Sequence, residues 1–332
     1  MSTRRSFLRH LCLAVPGSLL AGSPGTVERG IQFLRSRQSS DGAWHSAIHG
    51  SLRDGSALTP LVLNALPDEK GLAWLRALTD RVSPSTEPWT SLVYPLFTAS
   101  LSAQVFAKAH DDARARFWAS LIQRLQLSPS LGWPENDPRC HGWGDSPCPP
   151  RFDPSMRALA DMQNPNLSAT AYAIAGLAAA GMPARPDFVL RCQNADGGFF
   201  FALNDPIRNK AGDRQSYSTA TCDGILSLRH AGVPSNDPRI RSAIAWLQKN
   251  TSPPPPSLTF YDAQARARCL ASPTVRESLL SSQNADGSWQ GSDPAALEDD
   301  PVLATAFALM ALTASRPARG KSCDSAMPHA AP

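Results

Sequence analysis

Tyr217, Ser218, Thr219 and Asp223 open a helical stretch of small and apolar residues, and Tyr217 and Asp223 stand out among them. An acidic group at the start of such a helix has no apolar packing role of its own, which makes Asp223 and its neighbour Tyr217 the first catalytic candidates. A second set, His49, Arg53 and Asp54, precedes another apolar helical stretch, and Arg208, Lys210 and Arg214 lie shortly before Tyr217. Placed near helix N-termini, such cations would suit an anion such as a diphosphate, with His49, Arg53, Asp54 and Arg214 as the binding candidates. The same residue types also serve simple capping and loop solvation. Cys140, His141, Asp145 and Cys148 carry metal-ligand side chains in one Pro-rich loop, but Cys-x7-Cys is not a standard zinc spacing. A disulfide between Cys140 and Cys148 is the first expectation there, and no metal is assigned. Gly-rich phosphate loops, haem-attachment sequences and thioester sequences are all missing, so no cofactor is expected.

The elements that would hold these groups announce themselves through a repeat. Gln38, Asp41, Gly42 and Trp44 recur as Gln193, Asp196, Gly197 and Phe199, and again as Gln283, Asp286, Gly287 and Trp289. Each copy follows a short helical apolar pattern, as in Ile31, Phe33 and Leu34. A Gly at that place ends a helix cheaply, and the Asp before it suits the turn. A second helical segment of small and apolar residues comes after each exit. Continuing along the chain yields six helical pairs. The first members span about 26–38, 69–82, 111–126, 186–193, 237–250 and 272–283; their partners span about 56–66, 91–108, 166–180, 215–231, 258–269 and 301–314.

Six such hairpins can close on themselves into an all-α, (α/α)6 toroid with inner and outer helix rings. Closure hides the apolar faces at both ends of the array, whereas an open superhelix would need polar capping repeats, and none is distinct. Thirty prolines fall between the apolar segments, as in the run Pro253 to Pro256, and act as punctuation. The toroid is expected over 26–315, with a long loop at about 128–165 and a polar, flexible tail over 316–332.

The stretch from Gly30 through Gln38 to Trp44 resembles the Gln-Trp (QW) repeat of squalene-hopene and oxidosqualene cyclases. The whole array is similar to the terpenoid cyclase and protein prenyltransferase superfamily, the prenyltransferase and squalene oxidase repeat proteins. That resemblance implies the toroid and an apolar or isoprenoid-like ligand in its central cavity. It does not carry over the chemistry. Type II cyclases use an Asp-x-Asp-Asp acid cluster, and the nearest approaches, Asp111-Asp112 and Asp299-Asp300, lack the third carboxylate and read as helix N-terminal charges. Prenyltransferases hold zinc through Asp, Cys and His; Asp223-Gly224 matches the first ligand, but Ile225 and Ala304 stand where the Cys and His belong. Cys222, offset by three positions, reads as a small buried residue.

The first residues, with Arg4-Arg5 followed by Phe7-Leu8 and an apolar stretch from Leu11 to Ala21, resemble a twin-arginine signal peptide over 1–25. Export to the periplasm or beyond is therefore expected, with no stable transmembrane segment in the mature chain. The net charge of +4 is dispersed and gives no support for a nucleic-acid partner. Three readings remain: a toroid that binds or transforms an isoprenoid-like ligand, with Asp223 and Tyr217 as catalytic candidates; a non-catalytic exported interaction module; and a polysaccharide-active toroid, which would need Asp54, Asp223 and Trp44 to meet in a cleft.

Overall fold

The computed structural model describes residues 25–82, 92–154, 163–270 and 272–314. The expected leader and tail, with Cys12 and Cys323, lie outside them. Among the described residues there are twelve α-helices and no strand.

Six of these helices form the outer ring: α1 (Gly25–Ser36), α3 (Glu69–Arg81), α5 (Asp112–Arg124), α7 (Asp187–Arg191), α9 (Pro238–Lys249) and α11 (Pro273–Ser281). They are amphipathic because one side faces water. In α3 the buried residues Gly71, Leu72, Leu75, Leu78 and Thr79 recur at three- and four-residue intervals, forming a single stripe. Their starts are well marked. Asp68, Asp111 and Ser272 accept from backbone amides of α3, α5 and α11, and Asp111 thus has the capping role expected of it.

The other six form the inner ring: α2 (Leu58–Ala65), α4 (Pro95–Lys108), α6 (Leu167–Ala179), α8 (Ser218–His230), α10 (Thr259–Cys269) and α12 (Pro301–Ala314). In α2, α4, α6 and α12 the residues are small or apolar nearly all round because both sides are covered, whereas α8 and α10 carry polar groups as well. Small residues bring the axes together; a Cβ on Gly176 of α6 would lie 2.8 Å from the Ser100 Cα of α4. Each inner helix packs on the next, α2 on α4 and so on to α10 on α12, and α12 returns to α2. Each outer helix packs on the inner helix before it, with α1 on α12. The contacts therefore run in a circle.

The repeated turns do the joining. Gln38, Gln193 and Gln283 each donate Nε2 to the carbonyl of the motif glycine, at 2.9 to 3.0 Å. The same nitrogen reaches the start of the following outer helix: Asp68 Oδ1 before α3 (2.6 Å), Arg239 O in α9 (2.9 Å), and Thr26 O in α1 (2.8 Å). The third of these links closes the ring. Trp44 and Trp289 turn their indole N–H back onto Leu34 O and Leu279 O in the last turn of the preceding outer helix, at 2.7 and 2.8 Å. Gly42, Gly197 and Gly287 all have φ near +90°, and a Cβ on any of them would stand 2.6 to 2.8 Å from a backbone oxygen of the neighbouring outer helix. Glycine is thus required twice over, by conformation and by space.

A fourth copy is present that the sequence spacing conceals. Gln126 pairs with Trp143 as Gln38 does with Trp44, and Trp143 Nε1 donates to Ile122 O of α5 at 2.7 Å. Here the turn carries an insertion, and the expected long loop at 128–165 begins inside this motif. In all four copies the aromatic residue's backbone N–H donates to a threonine in the following inner helix, Thr59, Thr170, Thr221 or Thr305, at 3.0 to 3.1 Å.

Candidate functional site

Asp223, six residues into α8, projects to the ring's axis, where Tyr261 of α10 donates its phenol to Asp223 Oδ1 at 2.8 Å. The same phenol oxygen is 3.3 Å from Ser168 Oγ of α6. Tyr172 of α6 stacks on Tyr261 (6.0 Å between centroids, 19° between planes), while Phe97 and Phe307 meet these rings edge-on at 4.9 and 5.6 Å. Burial pushes the Asp223 carboxyl up to about 7; the Tyr261 hydrogen bond opposes this, the Asp262 charge adds to it, and Arg268 pulls back. Tyr172 and Tyr261 are raised as well, chiefly by burial and next by Asp223. Toward the C-terminal end of the inner helices the axis turns basic. Arg268 Nη2 lies 3.1 Å from His230 Nε2, and burial, followed by the Arg268 charge, lowers both His230 and Lys108.

A neutral carboxyl in a dry aromatic setting is a proton donor. Space decides what it can act on. The cavity that Asp223, Tyr172 and Tyr261 line together with Gln104, Gln264, Arg268 and Met310 measures about 30 Å³. That is room for a water molecule, whereas pockets for drug-sized ligands run to roughly 300 Å³ or more. Around Asp223 the side chains leave the axis little open space.

Of the residues expected at the site, only Asp223 lines this cavity. Tyr217 sits ahead of α8, its amide donating to Phe199 O at 3.2 Å and its carbonyl accepting from Thr221 Oγ1 at 2.8 Å; its buried ring does not reach the axial space. The other candidates do not converge either. His49 Nε2 pairs with Asp299 at 2.7 Å, Asp54 turns back onto Ser56, exposed Arg53 offers only its carbonyl to His45, and Arg214 donates to Leu203 O. Loops at one end of a ring do meet, but the charges that pair there do so within their own loop or the adjacent one, as Arg208 does on Asp145 at 3.0 Å, and exposed Arg53 does not join them. Asp300 caps α12 through Val302 N and Leu303 N, as expected of a helix N-terminal charge. Cys222 is fully buried, and Trp44 likewise, so Trp44 cannot line a cleft with Asp54. Cys140 and Cys148 are both free thiols: the first packs with Leu127 and Trp133, the second lies beside Ser146.

Comparison with known proteins gives a fold and no more. Neither a protein-family model nor a curated protein matches the chain. Among solved structures, a protein from Actinoplanes aligns over 87% of this chain and 98% of its own at a TM-score of 0.57 and 18% identity. The type II terpene cyclase MstE from Scytonema, as a variant in complex with geranylgeranyl dihydroxybenzoate, aligns over 87% and 96% at 0.58 and 14%. The likeness is one of architecture. It supports the terpenoid cyclase-like toroid, and no helix among the described residues is long and apolar enough to cross a membrane.

The residues missed from sequence are those of α10. Asp262, Gln264, Arg266 and Arg268 sit in a helix that the repeat places in the inner ring, and four polar groups there were the available signal. Two of them face the axis. Arg266 instead faces outward, into a groove of about 650 Å³ between α9 and α11. Its Nε donates to Asp262 Oδ2 at 2.9 Å, and Asp262 Oδ1 accepts from Ser218 and Thr219 at 2.7 Å each. The Nη groups of Arg266 have no hydrogen-bond partner among the described residues. Phe260, Leu270, Val275, Leu279 and the Pro253-Pro254 segment form the apolar part of the groove's walls.

Proposed function

We propose that the chain is an exported, non-catalytic binding protein built on a terpenoid cyclase-like toroid, and that it holds an apolar carboxylate in the groove between α9 and α11. One contrast carries this reading: about 30 Å³ at the axis against about 650 Å³ in the groove. The groove's apolar side chains alternate with polar ones, Gln248, Thr251, Ser252, Thr259 and Thr274 among them, and an apolar lining with placed polar groups is what fixes a ligand's orientation. The unoccupied Nη pair of Arg266 suits a carboxylate, which Arg binds with two parallel hydrogen bonds. Consecutive prolines stiffen one wall, so the groove is held open before binding, at little ordering cost.

The test is calorimetric titration of the purified chain with dodecanoate and with dodecanol. Saturable binding of dodecanoate at one per chain, weaker for the alcohol, is expected. Ser278→Trp, which fills the groove from its exposed rim, should abolish binding, and Ala175→Leu, which fills the axis, should leave it intact. Loss of binding in the axial variant alone would overturn the assignment.

A second reading has its own observation, the Asp223 carboxyl pushed up to about 7 among aromatic rings. Protonation of an alkene in an isoprenoid-like substrate would use that acid, provided the axis opens by several hundred Å³. Deuterium incorporated from heavy water into a polyprenyl substrate, and abolished by Asp223→Asn, would favour it over the binding role.

A further inference from the structure

We propose that Glu135, Cys140 and His141, in the insertion of the fourth Gln-aromatic turn, form a zinc site that fastens this loop to the end of α5. Their ligating atoms, one carboxylate oxygen, Cys140 Sγ and one His141 ring nitrogen, all lie within 4.8 Å of one another. His141 Nε2 stands 3.0 Å from Glu135 Oε1. A tetrahedral zinc with bonds of about 2.0 Å to nitrogen and oxygen sets those two atoms about 3.3 Å apart, so that pair already stands at zinc spacing and Cys140 Sγ closes in on binding. Nitrogen, sulfur and oxygen donors together suit zinc, not calcium or magnesium, which take oxygen. With three protein ligands, a water completes the tetrahedron.

The backbone is already set for it. Cys140 N donates to Asp137 O within the loop at 3.0 Å, and His141 N to Leu127 O, just past the end of α5, at 2.7 Å, which fixes the backbone of both consecutive ligands. His141 has φ +69°, in the place where Gly42, Gly197 and Gly287 stand in the other copies. A histidine there costs strain that glycine would avoid, and the turn itself has no use for an imidazole. The loop also has little core of its own, since Leu127, Trp133 and Cys140 form a cluster apart from the main one. Loops in that condition gain most from a metal staple. Burial, then the Glu135 charge, raises the Cys140 thiol, so without an ion it stays protonated. On binding, the thiol proton leaves to solvent and the Zn–S bond forms, while neutral His141 and ionised Glu135 contribute lone pairs without proton loss. Arg185, which donates to Glu135 Oε1 at 2.6 Å and is also held by Asp187, is the competing cation.

The experiment takes the full purified chain, strips it with a chelator, and titrates it with Co²⁺ as a visible stand-in for zinc. One equivalent should produce the d–d bands of a tetrahedral site and a near-ultraviolet thiolate-to-cobalt band, both displaced by zinc. Cys140→Ser should lose the thiolate band. His141→Gly should lose metal binding while gaining stability in the metal-free chain, since it restores the residue found at the other three turns; this separates a lost ligand from a lost fold. Arg185→Ala should bind the ion more tightly. No stoichiometric uptake by the stripped chain, or uptake that survives both Cys140→Ser and His141→Gly, would overturn the proposal. Neither result bears on the groove between α9 and α11, which has no residue in common with this loop.

Discussion

Replacing Asp223 by Asn should flatten the pH dependence of folding. Asp223 has an ordinary value of 3.8 and is pushed up to about 7 in the folded ring, so between those values the folded chain holds a proton that the unfolded chain has lost. The sign follows from proton linkage: the stabilisation is complete below about pH 4, declines as pH rises, and is gone above about 7. Integrated from pH 5 to pH 8, this single group accounts for a fall of roughly 2 to 3 kcal/mol. Glu298, raised from 4.5 to about 7 mainly by burial, works in the same direction and keeps a slope in the variant. Surface acids such as Asp41 are lowered instead, and they lose their contribution only below about pH 4, outside this window. The Asn amide retains an acceptor for Tyr261 OH but cannot ionise. Urea unfolding followed by tryptophan fluorescence at pH 5, 6, 7 and 8 reads the effect directly. His230, lowered by burial, gains stability with rising pH in both proteins alike, so the comparison isolates the carboxyl: Asp223→Asn should lose roughly 2 to 3 kcal/mol less than the natural chain. Equal slopes for the two proteins would mean that Asp223 is not held protonated at the axis, and the acid reading would go with it.

Gly42→Ala should destabilise by roughly 2 kcal/mol or more in chemical unfolding, since the added Cβ meets Lys70 O at 2.7 Å and the residue stays at positive φ. Gln283→Ala removes the hydrogen bonds to Thr26 O and Gly287 O and should cost about 1 to 3 kcal/mol, with faster amide hydrogen exchange in α1 than elsewhere. Of the five described cysteines, only Cys148 is partly exposed, so mass mapping after brief alkylation of the chelator-stripped native chain should find it modified well ahead of Cys140, Cys192, Cys222 and Cys269.

Much of the helix order was legible because it rests on local chemistry. Gly42, Gly197 and Gly287 mark helix exits wherever they fall, since only glycine takes that φ beside a neighbouring backbone. The apolar period of α3 and the unbroken apolar run of α12 distinguish outer from inner helices without any long-range knowledge. The fourth turn escaped because an insertion separates Gln126 from Trp143, and a self-comparison at fixed spacing cannot bridge it. The pairing of Cys140 with Cys148 failed for a related reason: nearness in sequence says nothing about which way two side chains point, and Cys140 points into Leu127 and Trp133.

The site divides along the same line. By itself, the chain's residue order determined six helical pairs, their turn chemistry and one oddly placed carboxyl, Asp223, because each depends on neighbours within a few residues. Only the tertiary structure decided that Tyr261, not Tyr217, serves Asp223, and that Arg266 turns outward while Arg268 turns in. It alone decided that the axis has little open space around Asp223 while a groove is left open, since a cavity's size is set by side chains brought together from helices far apart in the sequence.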